Sequence, residues 1–178
     1  MESTLVTVEQ LKALTSISDT MDCELLQPHL LIAQQLYVAP ILGDALYNDI
    51  LSKFNANTIS GDTETLLNEY ITPCIGFASW FSISPFLAYK TQRSGIQALS
   101  SPDNTPVTPE ELSLYIARVE NYKDFYCLRL QKYLDANESL FPLYRSGDSQ
   151  EVSKGGGLYL GFKSRRNNGC CGEDYGWQ

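Results

Sequence analysis

Few side chains in this sequence have the types and spacing that catalysis requires. His29 is the one histidine among the 178 residues, so a Ser–His–acid or Cys–His device would have to use it. His29 follows Pro28 in an apolar stretch. We therefore interpret it as a polar residue on the first turn of a helix rather than as a catalytic base. Cys23 lies six positions earlier, and a zinc site would need Cys74 or Cys127 brought in by the fold. We therefore predict no catalytic, cofactor-binding or metal-binding residues.

Paired carboxylates and a glycine run are the remaining candidates for chemistry. The acidic pairs are Asp44/Asp49, Glu110/Glu111 and Glu120/Asp124. Each is explained by a solvated helix face or a helix start. Lys154 precedes three glycines, whereas a phosphate-binding Walker loop has its lysine after the glycines, between a strand and a helix. These residues predict no enzyme.

Composition and charge favour one folded, acidic domain followed by a different kind of segment. The chain is 43% hydrophobic and carries a net charge of −8, which disfavours a dedicated nucleic-acid binder. Residues 1–150 hold 9 basic and 18 acidic side chains, whereas residues 151–178 hold 4 and 3 with seven of the twelve glycines. We therefore divide the chain into a helical domain, 1–146, and an extended Gly-rich C-terminal arm, 147–178. The start of the chain lacks the pattern of a secretory signal, so we expect synthesis in the cytoplasm.

Helical periodicity in residues 1–146 predicts an all-α bundle of about five helices with one long C-terminal helix. Capping boxes at residues 7–10 and 108–111 predict the first and last helix starts, and the last helix should run to about Ala136. Its expected inward stripe is Leu112, Tyr115, Val119, Tyr122, Tyr126, Leu130 and Tyr133. Pro40 is expected to end one helix and to open the next. The apolar stripe of that next helix is Ile41, Leu42, Ala45, Leu46, Ile50, Leu51 and Phe54.

An uncharged stretch at residues 70–89 raises the question of a membrane span. It is long enough to cross a bilayer, but a central helix buried on all sides gives the same hydropathy. Because it contains Pro73, Pro85 and several hydroxyl side chains, we predict a buried helix that begins at Pro73 and is kinked or ended at Pro85. Residues 90–105 should form a loop with a short strand at 95–98.

The stretch from Leu31 to Tyr47, L-I-A-Q-Q-L-Y-V-A-P-I-L-G-D-A-L-Y, resembles a known signature. This is the A-Q-x-x-Y-I-x-P-x-L-G-x-x-L-Y pattern of head–tail connector proteins, also called adaptor or ring proteins, of tailed bacteriophages. Two further stretches, residues 70–73 with 85–87 and the 95–96 turn, and residues 134–144, are similar to variants from phages of Bacteroidales, including the crAss-like group. The positions that carry the signature are Gln34, Tyr37, Pro40, Leu42, Gly43, Leu46 and Tyr47.

The resemblance implies a virion structural protein at the head–tail interface rather than an enzyme. Such proteins assemble into a homo-oligomeric ring, usually of twelve copies, whose lumen lets the genome pass without specific DNA binding. The implied partners are other copies, the portal protein and a tail or second ring protein, with no membrane and no cofactor. Pro40 and Gly43 would form a tight helix–helix corner.

Two alternatives from other classes stay open. One is a small cytosolic helical enzyme or ligand-binding bundle that uses His29 and Cys23. The other is a membrane-inserted protein such as a holin, based on residues 70–89.

Residues 147–178 lie outside the connector pattern, so their interpretation depends on composition. Apolar and basic side chains in a Gly-rich segment suggest an arm that orders on a partner, although the arm could equally pack on its own domain. The opposite charge of domain and arm favours exchange between identical copies. The candidate contact residues are Leu158, Tyr159, Leu160, Phe162, Lys163, Arg165, Arg166 and Trp177.

Overall fold

A computed structural model describes residues 3–92, 95–98 and 108–144. Within these ranges the chain forms five helices and one short hairpin. The helices are α1 (Val8–Leu14), α2 (residues 23–42), α3 (Asp44–Asn55), α4 (residues 62–88) and α5 (Pro109–Ala136). The hairpin pairs β1 (Tyr89–Gln92) with β2 (Gly95–Ala98) in antiparallel register. The expected helical bundle with a long final helix is confirmed, as is the strand at 95–98; the arm lies outside the described residues.

Two of the helices are composite. Helix α2 consists of Cys23–Ala33, a π-helical turn Gln34–Val38 and the short piece Ala39–Leu42. Helix α4 consists of Asp62–Thr65, a π-helical turn Leu66–Ile71 and the long piece Thr72–Ala88. In each π-helical turn a backbone N–H bonds the carbonyl five residues back, from Ala39 to Gln34 and from Thr72 to Leu67.

Both predicted capping boxes are present. The Thr7 hydroxyl accepts from the Gln10 N–H at 3.2 Å, and the Gln10 side chain accepts from the Thr7 N–H at 2.9 Å. Thr108 and Glu111 repeat this reciprocal pair at the start of α5, with Pro109 as the first helical residue. Since each box satisfies two otherwise unpaired backbone donors, helix starts were readable from the sequence. Helix α5 ends at Ala136, as predicted.

Helix α4 is the centre of the bundle and packs against both α2 and α5. Its middle is buried, including Ile75, Ala78 and Ile83. The buried hydroxyls of Ser79 and Ser84 donate to carbonyls four residues back, at 2.7 and 2.6 Å, which satisfies their polarity inside apolar surroundings. The prediction of a buried helix is therefore confirmed. In the part of the chain that the structure describes, no helix combines the length and apolarity needed to cross a membrane.

The prediction that Pro40 ends a helix is wrong. Helix α2 passes through Pro40 to Leu42, and the break falls at Gly43, where φ is 74° and ψ is 154°. A proline ring normally crowds the carbonyl four residues back, here that of Leu36. Because Leu36 lies in the π-helical turn, where the backbone bonding is already shifted by one residue, the helix accommodates Pro40.

Helix α4 shows the same device. The predicted start at Pro73 is wrong, because the short helix before it joins the long one through the turn Leu66–Ile71. That π-helical turn again ends two residues before a proline. The helix also continues past Pro85 to Ala88.

The inward stripes differ from the prediction at three positions. Ala45 is exposed on α3, and Tyr115 and Tyr122 of α5 are 42% and 43% exposed. Both tyrosines lie at the edge of the α4–α5 contact, where the Tyr115 hydroxyl accepts from the Trp80 indole N–H at 2.9 Å. The buried line of α5 comprises Val119, Lys123, Cys127, Leu130 and Leu134.

Candidate functional site

The site that the sequence singles out is a helix–helix corner, residues 34–47, built around Gln34. The Gln34 side chain is fully buried. Its Oε1 accepts from the Leu5 N–H at 2.7 Å, while Nε2 donates to the Tyr47 hydroxyl at 2.8 Å and to the Ser3 carbonyl at 3.3 Å. One amide therefore joins the N-terminal segment, α2 and α3. Because all these groups are internal, the amide is satisfied without water.

Gly43 makes the turn of this corner. Its φ of 74° with ψ of 154° lies in a region that only glycine adopts readily. No atom lies within 4 Å of where a Cβ would be, so the backbone angles, not lack of space, require glycine. Helix α3 starts at the next residue, and the Gly43 carbonyl accepts from the Tyr47 N–H at 3.0 Å. Leu42, Leu46 and Tyr47 are buried beneath the turn.

A second cluster connects the corner to α4 and α5. Tyr37 contacts Phe81 edge to face at 6.4 Å between ring centroids. The Lys123 ammonium lies 4.3 Å from the Phe81 ring centroid and 5.1 Å from that of Tyr37. Lys123 also pairs with Asp124 at 3.2 Å and Glu120 at 3.7 Å. Burial raises the pKa of Tyr37, so its hydroxyl is neutral beside this charge.

The signature positions thus separate into three groups. Gln34, Leu42, Leu46 and Tyr47 converge with Gly43 on the corner. Tyr37 faces the Lys123 cluster instead, and Pro40 is half-buried inside α2. Lys123 was missed by sequence reasoning, because a lysine beside two acids is typical of a solvated face. Its place between Val119 and Leu130 at helical spacing was the available signal.

Cys23 and His29, the two candidates for nucleophilic or metal chemistry, have different surroundings. Cys23 is exposed at the start of α2. His29 shares a hydrogen bond of 2.9 Å between Nδ1 and the Ser82 hydroxyl, and burial lowers its pKa. Nowhere in residues 3–92, 95–98 and 108–144 do three His, Cys, Asp or Glu side chains group as metal ligands.

The fold does bring Cys74 and Cys127 together, across the α4–α5 contact. Their sulfurs are 3.2 Å apart and both residues are buried. The hydrogen bond with Cys127, followed by burial, raises the pKa of the Cys74 thiol well above its usual range. The Cys74 thiol is therefore held in the protonated form, which is a poor nucleophile and a poor metal ligand.

An open cleft lies between the end of α3 and the start of α4. Its volume is about 250 Å³, and Phe54, Ile59, Glu64 and Leu67 contribute to its lining. Among the described residues that line it, Glu64 contributes the one carboxylate.

Comparison with known proteins adds one finding. A family model described as a family of unknown function (DUF6712) matches residues 38–154, about two thirds of the chain. The chain belongs to the DUF6712 family. The match begins inside the corner at Val38, so it includes Gly43 and Tyr47 but not Gln34. No curated protein and no solved structure matches the chain.

This DUF6712 chain also presents two exposed apolar surfaces. The α2 face consists of Leu25, Ile32 and Leu36 with Phe86 of α4, which are 40% to 61% exposed. The α5 face consists of Leu114, Phe125 and Leu128, which are 48% to 74% exposed. Large apolar side chains exposed along one side of a helix are candidates for contact with another protein.

Proposed function

We propose that this DUF6712 protein is a virion structural protein: a head–tail connector whose copies form a ring between portal and tail in a tailed phage. The observation that carries the proposal is the corner at residues 34–47. Its sequence resembles the connector signature, and its side chains pack and bond with one another. The proposed role is therefore structural, in assembly of the virion.

The charge of the chain supports passage of DNA without binding. Residues 1–150 carry twice as many acidic as basic side chains, 18 against 9. A wall of this sign repels phosphate, so a genome would move through a lumen lined by it without adhering. The two exposed apolar faces support contact with other proteins.

The arm, residues 147–178, is proposed to contact the portal or a neighbouring copy. Its candidate contacts, Leu158–Phe162 and the basic residues Lys163, Arg165 and Arg166, lie outside the described residues. Deleting residues 147–178 should leave the helical circular-dichroism signal unchanged and weaken assembly. A deletion that unfolds the domain would show that the segment belongs to the core.

The decisive test measures mass by light scattering, with negative-stain imaging, on the protein alone and mixed with the portal protein of the same phage. We expect ring-shaped particles whose mass is a multiple of 19.9 kDa. Since a connector can stay monomeric until it meets the portal, the mixed sample decides. A protein that remains monomeric in both samples and binds neither portal nor tail protein would contradict the proposal.

A further inference from the structure

The two exposed apolar faces have the spacing of helices that pack against another helix. On α2 the positions 25, 29, 32 and 36 are separated by steps of four, three and four residues. On α5 the positions 114, 118, 121, 125, 128 and 132 follow the same steps. This spacing forms the seam along which two helices interlock.

The lengths of the two faces also match. Leu25 to Leu36 spans about 17 Å along the helix axis, and Leu114 to Leu128 spans about 21 Å, at 1.5 Å per residue. The most exposed members are Leu36 at 61%, Phe125 at 61% and Leu114 at 74%. Each face could therefore cover most of the other.

The α2 face has acids at one end, whereas the α5 face carries bases within its seam. Helix α2 contains no lysine or arginine, and exposed Asp22 and Glu24 lie at its start, next to Leu25. On α5 the seam positions include exposed Arg118 and Lys132, and the same spacing reaches exposed Glu111 and Asp135 one step beyond its ends. The acids of one face therefore fit the bases of the other.

These charges also select the relative direction of the helices. An antiparallel arrangement places Asp22 and Glu24 opposite Lys132, and the acidic start of α5, Glu110 and Glu111, opposite the uncharged end of α2. A parallel arrangement would instead place the two acidic helix starts together, which is unfavourable.

We propose that the α2 face of one copy packs antiparallel on the α5 face of the next copy. Since the faces are on different helices, each copy has one of each, and association proceeds head to tail. A two-fold dimer in which like faces pack together would leave one face of each copy exposed, whereas contact between unlike faces buries both. This inference rests on the proposed connector function, because a ring is the closed form of such an assembly.

The first test uses one variant for each face, Leu36→Asp on α2 and Phe125→Asp on α5. Both side chains are 61% exposed, so the fold should tolerate the change, which circular dichroism and thermal unfolding will check. A carboxylate buried in an apolar contact is unfavourable, so each variant alone should be monomeric by light scattering. An equimolar mixture should give a heterodimer of about twice the 19.9 kDa chain mass, because one intact face remains on each partner.

Leu140→Asp is the matched control. Leu140 is 48% exposed but belongs to neither face, so this variant should assemble like the wild type. If the wild type assembles only with portal protein, portal protein is added to every sample.

The second test measures direction by disulfide cross-linking. In a background with Cys23, Cys170 and Cys171 replaced by serine, Leu25→Cys with Leu128→Cys should give a ladder of oligomers on a non-reducing gel. Leu25→Cys with Leu114→Cys should give none. A ladder from the second pair alone would overturn the antiparallel arrangement.

The pairing of faces would be overturned if the mixture of Leu36→Asp and Phe125→Asp stayed monomeric. It would also be overturned if either variant alone assembled like the wild type. If the mixture fails while deletion of residues 147–178 dissociates wild-type assemblies, the arm makes the contact between copies and the pairing is equally wrong. Rings unaffected by both substitutions would refute this inference and leave the connector proposal standing. Heterodimers of the variants, together with a wild type that binds neither portal nor tail protein, would support the pairing and contradict the connector proposal.

Discussion

Gln34 and Lys123 are two long polar side chains that the bundle buries by different means. Gln34 is fully buried and neutral, and its partners are groups of the protein interior. Lys123 is 5% exposed and charged, but the carboxylates that pair with it, Glu120 and Asp124, are 42% and 36% exposed. Replacing Gln34 would leave buried polar groups without hydrogen-bond partners, whereas replacing Lys123 would leave carboxylates that water can solvate. The neutral residue should therefore matter more than the charged one.

Gln34→Met should have the largest effect. The change keeps the length of the side chain but leaves the Leu5 N–H and the Tyr47 hydroxyl without a buried partner. We expect the free energy of unfolding to fall by about 2–4 kcal/mol, measured by urea denaturation.

Tyr47→Phe provides the control for that prediction. Alone it should cost about 1 kcal/mol, because Gln34 still donates to the Ser3 carbonyl. The double variant with Gln34→Met should lose less free energy of unfolding than the sum of the two single losses, because the Tyr47 hydroxyl that Gln34→Met leaves unpaired is then absent. Strict additivity would show that the two side chains do not act as one network.

Gly43→Ala should have the next largest effect. The alanine would have to adopt a φ of 74°, which costs about 1–3 kcal/mol in the free energy of unfolding. Gly76→Ala is the matched control, because Gly76 lies within a helix and a Cβ there would meet Leu14 alone, at 3.3 Å from its Cδ1 and 3.8 Å from its Cβ. An equal fall in the free energy of unfolding for the two variants would contradict the claim that the backbone angles of the corner require glycine at position 43.

Lys123→Met should change the free energy of unfolding by less than about 1 kcal/mol. Methionine fills the space of the lysine stem, and the loss of the cation–ring contacts is offset because no charge has to be buried. Urea denaturation in low and high salt would measure it. A loss above about 2 kcal/mol would reverse the ranking of the two buried side chains.

His29 should give the smallest effect, visible as a pH dependence. Burial lowers its pKa below the value of about 6.5 for a free imidazole. Between those two values the unfolded chain binds a proton that the folded chain does not, so the free energy of unfolding falls as the pH is lowered through this window. His29→Gln should remove that part of the pH dependence, which unfolding curves between pH 5 and pH 8 would detect. An unchanged slope would mean that the ring titrates alike in both states.

The features that sequence predicted well are those that depend on local chemistry. The box at Thr108, the end of α5 at Ala136 and the burial of residues 72–84 follow from capping, spacing and apolarity within a few turns. The bond of Gln34 to Leu5 could not be predicted in this way, because it joins residues 29 apart. The prediction that Pro40 ends a helix was wrong because the rule behind it holds for regular α-helices, and here a π-helical turn precedes the proline.

The same distinction holds for the candidate site. The signature located the corner, and glycine at position 43 indicated an unusual backbone. The Lys123 cluster required the fold, since its members come from α2, α4 and α5. Which tyrosines of α5 point inward also depended on the exact position of α4.

The π-helical turn in α2 has one more consequence. Each such turn holds an extra residue, which rotates everything beyond it by about 100° relative to a regular helix. The first half of α2 can thus direct Leu25 and Ile32 to the outside, while the second half directs Ile41 and Leu42 into the core. The turn thus sets the angle between the outward-facing first half of α2 and the inward-facing second half. Deleting one residue of the turn would rotate the second half relative to the first, although the sequence of each half would be unchanged.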